Sequence, residues 1–197
     1  MSEEHVLVIP EERLNAIGRF SGFRAFSEEA FATLLDPSYM EFRPRSTVEE
    51  DPTFKQLIPY AVLRVDPATP SVFQYTRGKG QGEKRLHALK SIGIGGHISK
   101  EDADGEDLYR SGMQRELTEE MVIDSAYQDQ MVGFIYDDST PVGRVHLGII
   151  HLLTLESTDA RARETELVES GFESVESMKQ ELDRFETWSQ LCLNHLF

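Results

Sequence analysis

The chain has 197 residues, 39% of them hydrophobic and 28% charged, and its 20 Lys and Arg against 35 Asp and Glu give a formal net charge of −15. This length suits one domain with a sizeable core, and the acidic charge disfavours binding to a nucleic acid polymer. No run reaches the roughly 18 apolar residues of a membrane helix, and "MSEEHVLVIP" lacks the features of a secretory signal. We therefore expect a cytoplasmic protein with no membrane partner.

The first 54 residues predict an N-terminal extension packed on a main domain over residues 55–197. "HVLVIP" favours a strand, whereas "EERLNAIGRF" and "SEEAFATLL" favour short helices. The polar stretch "FRPRSTVEEDPTF", residues 42–54, contains two prolines and is typical of a connecting segment.

The main domain opens with strand patterns. "IPYAVLRV", "SVFQYTR" and the region from Lys84 to Ile98 predict strands, separated by the turns "DPATP" and "GKGQGE". "DGEDLYRSGMQRELTEEM" then changes to a helical period, with Tyr109, Met113 and Leu117 four residues apart. Asp104 is the predicted N-cap of this helix.

The second half of the chain predicts more strands and a last helix. "VGFIY" and "RVHLGIIHLLTL" favour strands, and the latter is apolar on both faces, as in a covered central strand. "SVESMKQELDRFETWSQLCLNHLF" predicts a single helix whose apolar side packs on the sheet or on a second copy of the chain, so a homodimer is one expectation. This order of elements predicts an α/β fold with a mixed sheet between helices.

Three carboxylates crowd one end of the predicted long helix, within "RELTEEMVI" at residues 115–123. Glu116, Glu119 and Glu120 project within about 100° of one another. Like charges at these spacings cost an isolated helix about 0.2–0.5 kcal/mol per pair, and Arg115 can pair with only part of the set. Bound Mg²⁺ or Mn²⁺ would turn this repulsion into affinity, because hard cations prefer oxygen ligands. We interpret the cluster as a metal site, with a plain charged helix as the alternative.

A glycine-rich strand precedes this helix. "SIGIGGHIS" places Gly93, Gly95 and Gly96 among apolar residues, where glycines weaken a strand and mark a bulge or a close backbone approach. A backbone carbonyl turned toward a ligand is the functional interpretation, and an ordinary bulge is the alternative.

These two segments together resemble the Nudix, or MutT-like, hydrolase family. Its signature is Gly, five residues, Glu, seven residues, then Arg-Glu-aliphatic-X-Glu-Glu-X-Gly-aliphatic, on an α/β/α sandwich. Residues 115–123 match it except at Val122, where the family has glycine. "GGHI" at residues 95–98 is similar to the opening, but the loop that follows is longer. Two registers are open for the first acid, Glu106 and Asp107.

The resemblance implies a Nudix-type pyrophosphohydrolase with an N-terminal extension. Such an enzyme cleaves a diphosphate linkage in a nucleoside diphosphate derivative by attack of water on phosphorus. By the resemblance, Glu116, Glu119, Glu120 and the Gly96 carbonyl would bind Mg²⁺ or Mn²⁺, and Arg115 would orient the glutamates. "SIGIGGHI" and "VHLGIIHL" are also similar to a branch described as predicted MutT-like phosphoesterases, whose substrate is open.

Alternatives stay open for the residues that act in catalysis and in substrate binding. Glu119 is the chosen general base, with Asp137 and Asp138 in reserve, although both aspartates fit a turn equally well. Arg77 and His97 are candidates for binding the phosphorylated substrate. The basic stretch around Arg77, which includes Lys79, Lys84 and Arg85, would otherwise solubilise a hairpin, and His97 would otherwise be a hydrogen-bonded structural residue.

Two other functions share the expected fold. A nucleotide sensor that binds without cleaving is the main alternative. Diphosphate isomerase chemistry would need a cysteine near the cleft, and Cys192 in the terminal helix is poorly placed for it. His146 and His151, five residues apart on a strand, project to opposite faces and do not form a metal pair.

Overall fold

The computed structural model describes residues 3–77, 89–105, 107–163 and 167–197. The chain divides into two compact units. The first contains Met1–Tyr60, Gly95–Glu116 and Met131–Ile150, and the second contains Ala61–Ile94, Leu117–Gln130 and His151–Phe197.

The N-terminal part of the first unit alternates short strands and helices. Its elements are β1 (His5–Pro10), α1 (Glu11–Ala16), β2 (Gly22–Ala25), α2 (Glu28–Leu34), a 3-10 helix (Pro37–Tyr39), β3 (Glu41–Pro44) and α3 (Arg45–Val48). The central part of the chain continues with β4 (Phe54–Val65), β5 (Ser71–Arg77), β6 (Lys90–Ser91), β7 (Gly93–Ile94), a 3-10 helix (Lys100–Asp104) and α4 (Leu108–Glu120).

The C-terminal part completes the sheet and ends in short helices. Its elements are β8 (Met121–Ile123), β9 (Tyr127–Tyr136), α5 (Pro141–Val145), β10 (His146–Leu155), β11 (Ala160–Ala162), β12 (Leu167–Ser174), α6 (Val175–Gln180), a 3-10 helix (Leu182–Arg184) and α7 (Thr187–His195). The elements β4, α4, β9 and β10 contribute residues to both units.

In the first unit the strands follow the order β2, β9, β10, β4, β1 and β3. β1 is antiparallel to β4, with Val8 opposite Gln56, and antiparallel to β3, with Val6 opposite Arg43. One face of these strands is covered by helices: Leu14 of α1, Leu34 of α2 and Tyr109 of α4 belong to one buried cluster together with strand residues such as Leu57 and Ile149. This core fixes the first half of α4.

In the second unit β12, β5, β4 and β10 follow one another, β6 pairs with β5, and β7 pairs with β4. β8 and β11 form a separate two-stranded sheet. Leu117 and Met121 join a buried cluster with Leu63, Phe73 and Leu153. The apolar stripe predicted on the long helix is therefore buried along its whole length.

The sequence predicted most of this framework. The α/β class with a mixed sheet is confirmed, and β5 has the predicted bounds. β10 is almost wholly buried and lies between β4 and β9, as predicted for a central strand. The division into a 1–54 extension and a 55–197 domain stays a prediction.

The predicted cap of α4 is wrong. Asp104 lies inside the preceding 3-10 helix, because Ser99 and Asp102 form a capping box that starts helical turns earlier than expected. α4 begins at Leu108, and the Asp107 carboxylate accepts a hydrogen bond from the Arg110 N–H at 3.1 Å. Asp107 is thus the residue that caps the helix.

The prediction of one terminal helix is also wrong, because the chain breaks it between α6 and α7. Glu186 has an extended backbone, and its carboxylate accepts hydrogen bonds from the Trp188 and Ser189 N–H groups, so it starts a new helix. The Glu186 N–H in turn donates to the Lys90 carbonyl at 3.0 Å. Because the Glu186 N–H is bonded to strand residue Lys90, it does not donate to a carbonyl of the preceding helical turn, and the helix does not continue through it.

The predicted connecting segment at residues 42–54 is also more ordered than expected, since β3 and α3 lie within it or at its border. No helix among the described residues is long and apolar enough to cross a membrane.

Candidate active site

Gly96 and Glu116 lie in direct contact. A Cβ atom built on Gly96 would lie 2.5 Å from Glu116 Oε2, closer than any van der Waals contact allows. The Glu116 side chain is only 15% exposed, so its carboxylate is held against the backbone at Gly96. The lack of a side chain at Gly96 thus allows the Glu116 carboxylate to lie against the backbone.

The neighbouring glycine has a different role. Gly95 has a φ of +151°, and a Cβ there would lie 1.9 Å from the Pro59 carbonyl oxygen. Both facts exclude a side chain at this position. Gly95 therefore brings the chain close to β4. The next residue, Gly96, lies against the Glu116 carboxylate.

Arg115 connects three groups around this contact. Its Nη1 donates to Glu116 Oε1 at 2.8 Å, its Nη2 donates to the His97 carbonyl at 2.9 Å, and its Nε donates to Asp102 Oδ1 at 2.9 Å. A second bond from Nη2 to Asp102 Oδ2 at 3.1 Å makes the pair with Asp102 two-pronged. Arg115 thus holds Glu116 while it is itself fixed by Asp102, and its role in orienting the three glutamates stays a prediction.

Asp102 is the partner that the sequence reasoning missed. It is 6% exposed, and its Oδ2 also accepts a hydrogen bond from the Ser99 N–H at 2.8 Å. Asp102 follows Gly96 after five residues, the spacing at which the Nudix signature places its first acid. Counting back from Arg115 led instead to Asp107, which is exposed and pairs with Arg110 at 3.6 Å, whereas Glu106 lies outside the described residues. Counting forward from Gly96 would have found it.

The electrostatics of this pair favour its charged form. Burial by itself would raise the pKa of Asp102, but hydrogen bonds from Arg115 and from the Ser99 N–H outweigh it and hold that pKa below its ordinary value. The hydrogen bond to Asp102 raises the pKa of Arg115. The pair is therefore ionised at neutral pH.

The other two glutamates lie at the end of α4. Glu119 is exposed and Glu120 is half-buried, and the Glu120 carbonyl accepts a hydrogen bond from the Arg163 N–H at 2.7 Å. Val122, which stands where the signature has glycine, is extended in β8 opposite Arg161. An extended residue needs no glycine, so this departure from the signature is accommodated by the strand.

His97 contacts another histidine. Its Nε2 lies 3.2 Å from His146 Nε2, and His146 Nδ1 lies 2.8 Å from the Val142 carbonyl. Because that carbonyl can only accept, His146 carries its proton on Nδ1 and accepts a hydrogen bond from His97 when both rings are neutral. Burial, with the nearby Arg45 and His146 charges, holds the pKa of His97 well below its ordinary value. The contact with His146 fits a structural role for His97. The role of His97 in substrate binding stays a prediction.

The reserve bases occupy a turn. Asp137 Oδ1 accepts hydrogen bonds from the Ser139 N–H and hydroxyl at 3.0 and 2.6 Å, the pattern of a turn residue. Asp138 accepts a hydrogen bond from the Ser21 hydroxyl at 2.9 Å and lies 3.8 Å from Arg19.

The remaining candidates lie elsewhere. His151 is fully buried, and its Nδ1 lies 2.8 Å from Asp129 Oδ1. Cys192 is buried in α7, and burial raises the pKa of its thiol. The Arg77 side chain and residues Lys79, Lys84 and Arg85 lie outside the described residues.

Within the described ranges, no group of three or more His, Cys, Asp or Glu side chains is arranged to hold a metal ion. The donor chemistry nevertheless fits a hard cation, because α4 supplies carboxylate oxygens and the glycine at residue 96 leaves room for Glu116 against the backbone.

Similarities to known proteins define the class. No family model matches the chain. Protein YmaB of Bacillus subtilis (strain 168) is 33% identical over 205 residues, covering 98% of both chains. The crystal structure of Tm1382, described as a Nudix hydrolase, superposes with a TM-score of 0.80 at 31% identity and 98% coverage of both chains. The chain therefore belongs to the Nudix hydrolase family.

A more distant structure shares the fold alone. The Nudix domain of Shewanella oneidensis NrtR, solved with ADP ribose, has a TM-score of 0.50 at 13% identity, covering 64% of this chain and 77% of that domain. Membership in the Nudix family confirms the fold and the enzyme class predicted from residues 95–123, a Nudix-type pyrophosphohydrolase.

Proposed function

We propose that this protein is a Mg²⁺-dependent hydrolase that cleaves a diphosphate linkage in a nucleoside diphosphate derivative. The observation that carries the proposal is the contact between Gly96 and Glu116, with Arg115 holding Glu116 through one bond and Asp102 through two. A carboxylate fixed in this way is prepared for a cation before the cation arrives. Mn²⁺ would serve in the same position.

Each residue has a proposed role toward the cation. Glu116, Glu119 and Glu120 would hold it through carboxylate oxygens, and the Gly96 carbonyl would add a further oxygen. When bound, the cation neutralises phosphate oxygens and lowers the pKa of a bound water, so that the water can attack phosphorus. Its two positive charges would also offset the repulsion among the glutamates that an isolated helix would feel.

The other residues would activate the attacking water, hold Glu116 in position or bind the substrate phosphate. Glu119, exposed near the end of α4, is the proposed general base that takes the proton from the attacking water. Arg115 is a positioning residue, because its hydrogen bonds fix Glu116 and the chain at His97. Arg77 and His97 are the proposed contacts to substrate phosphate, and a cytoplasmic location fits a phosphorylated metabolite as substrate.

A substrate panel tests the proposal. The purified full chain is assayed for release of phosphorylated products from ADP ribose, dinucleoside polyphosphates, nucleotide sugars and nucleoside triphosphates, with Mg²⁺ and with a chelator. We include ADP ribose because a domain of the same fold has been solved with it. We expect turnover of at least one diphosphate compound with Mg²⁺ and none with the chelator.

Glu120→Gln separates catalysis from binding. This variant should lose turnover while calorimetry still detects the nucleotide, since the carboxylate is proposed to bind the cation rather than the organic part of the substrate. Asp124→Asn is the matched control, because Asp124 is an exposed acid just beyond α4 that pairs with Arg161 at 2.7 Å. Nucleotide binding without turnover across the panel would favour a sensor and contradict the enzyme.

A further inference from the structure

A concave site lies among the described residues of the first unit, around the N-terminal end of α4 and away from Glu116. The cavity has a volume of about 550 Å³. Its wall combines half-buried N-terminal side chains with residues around the first turn of α4, chiefly Phe31, Leu35, Met40, Phe42, Tyr109 and Met131. Small-molecule sites typically measure about 300–1,000 Å³ and are mostly apolar, so this cavity has the size and lining of one.

The cavity opens at the surface and leaves hydrocarbon of the first unit accessible to water. Here Phe31, Leu35, Met40 and Phe42 pack on the core of the first unit with one part and face the cavity with another. A molecule that covered this hydrocarbon would gain about 25 cal/mol for each Å² removed from water.

The cavity is separate from the proposed diphosphate site. Tyr109 in its wall and Glu116 are seven residues apart, about 10 Å along the helix axis. Between them α4 packs tightly on the chain at Ile98, since a Cβ on Gly112 would lie 2.9 Å from two Ile98 carbons. Ile98 itself is fully buried. Neither Glu116 nor Arg115 is among the described residues that line the cavity.

The polar groups at the cavity indicate the charge of its occupant. Asp107 and Arg110 lie on its lining and pair with each other at 3.6 Å, so their charges largely offset. An anion would also meet the field of a chain with a net charge of −15. The Phe31 and Tyr109 rings stand edge to face, 6.2 Å apart at 82°, an arrangement that a further ring can extend.

We propose that this cavity binds a neutral, largely apolar small molecule that carries an aromatic ring. Met40 and Met131 suit such a ligand, because flexible thioether side chains adjust to its shape and contact aromatic rings favourably. A second copy of the chain is a poorer fit, since a stable interface buries about 800 Å² on each partner and a concavity of this size admits one or two side chains.

Methionine methyl NMR tests the proposal on the full chain. The chain has six methionines, of which Met40 and Met131 line the cavity, whereas Met178 is fully buried in the second unit. The probe is N-phenyl-1-naphthylamine, a neutral fluorescent aromatic amine. We expect it to shift the Met40 and Met131 methyl signals saturably, to leave Met178 unmoved, and to gain fluorescence with one site per chain.

Two variants fix the location of the probe. Leu35→Trp fills the cavity and should weaken probe binding at least tenfold. If that variant folds poorly, Met40→Trp takes its place, with the same expected loss of binding. Val168→Trp is the matched control, because Val168 is an exposed apolar residue of the second unit. Glu116→Gln should leave probe binding unchanged.

Three results would overturn the inference. They are the absence of saturable binding, equal binding by the cavity-filling and control variants, and methyl shifts of Met40 and Met131 that follow protein concentration rather than probe. The last result would assign the cavity to a contact between copies. Because the readout needs no metal and no turnover, its failure is distinguishable from failure of the proposed hydrolase activity.

Discussion

Arg115 and Asp102 form a two-pronged ion pair, with Nε to Oδ1 at 2.9 Å and Nη2 to Oδ2 at 3.1 Å. The Asp102 side chain is 4% exposed and that of Arg115 is 27% exposed. Charge-assisted pairs of this geometry are stronger than neutral hydrogen bonds, and a partner left alone in a buried place is costly. Arg115, held by this pair, in turn donates a hydrogen bond to Glu116 Oε1 at 2.8 Å.

We expect Asp102→Asn to destabilise the fold by about 2 kcal/mol, because it leaves the Arg115 charge without its anionic partner and weakens a charged hydrogen bond. Urea unfolding measures the change. Asp104→Asn, an exposed acid of the same 3-10 helix, should stay within about 0.5 kcal/mol of the wild type. Equal stability of the two variants would show that the pair contributes little.

The same pair predicts a pH dependence. The folded-state pKa of Asp102 is held below its ordinary value of 3.8, so its carboxylate stabilises the fold above that pH and the contribution is lost as pH falls through the folded-state pKa. The difference in free energy of unfolding between wild type and Asp102→Asn should be constant from about pH 7 to pH 5 and shrink below about pH 4. A difference that grew on acidification would contradict the assignment.

The two adjacent glycines should respond differently to alanine. Gly95→Ala places a Cβ 1.9 Å from the Pro59 carbonyl at a φ of +151°, so we expect a loss of about 3 kcal/mol in stability or failure to fold. The three atoms nearest a Cβ on Gly96 belong to the Glu116 carboxyl group, the far end of a flexible side chain that the new methyl group would displace. It should fold with a loss of about 1 kcal/mol.

Activity should separate the glycine variants further. Displacement of Glu116 by the new methyl group should lower kcat of Gly96→Ala at least tenfold, which corresponds to about 1.4 kcal/mol in the barrier. Thermal unfolding and initial rates on the best panel substrate give both quantities. Full activity in Gly96→Ala would mean that the contact with Glu116 has no catalytic role.

Gln56 offers a test of the core of the first unit. Its side chain is fully buried in β4, and neither amide atom has a hydrogen-bond partner among the described residues. A buried polar group without a partner costs about 1–3 kcal/mol, so Gln56→Met should stabilise the fold by about 1 kcal/mol. In contrast, Gln190→Met should destabilise it, because Gln190 Nε2 donates to the Phe185 carbonyl at 2.6 Å. Chemical unfolding of both variants decides between gain and loss.

The long-range contacts explain what the sequence could and could not predict. Helix α4 and its glutamates were evident because a period of four in apolar residues and crowded like charges are local signals. Asp102 was missed because twelve residues separate it from Arg115, where the signature has seven, and only the folded loop shows that it reaches the guanidinium. Periodicity carries no information about that contact.

The terminal helices show the same limit. The apolar spacing continues from Val175 to Leu196, so the pattern predicts one helix. The break depends on the Glu186 N–H, which bonds to the Lys90 carbonyl, and on the Glu186 carboxylate, which caps α7. A glutamate is a weak local signal for a helix start, and its strand partner lies almost one hundred residues earlier.

The most direct test of the central claim is the Mg²⁺ dependence of turnover for wild type and Glu116→Gln on the best panel substrate. We expect the wild-type rate to rise to saturation with Mg²⁺ and the variant to lose at least 100-fold in kcat, which is about 2.7 kcal/mol, while keeping its fold by circular dichroism. Equal rates for the two proteins, or turnover that persists in a chelator, would contradict a cation site at Glu116.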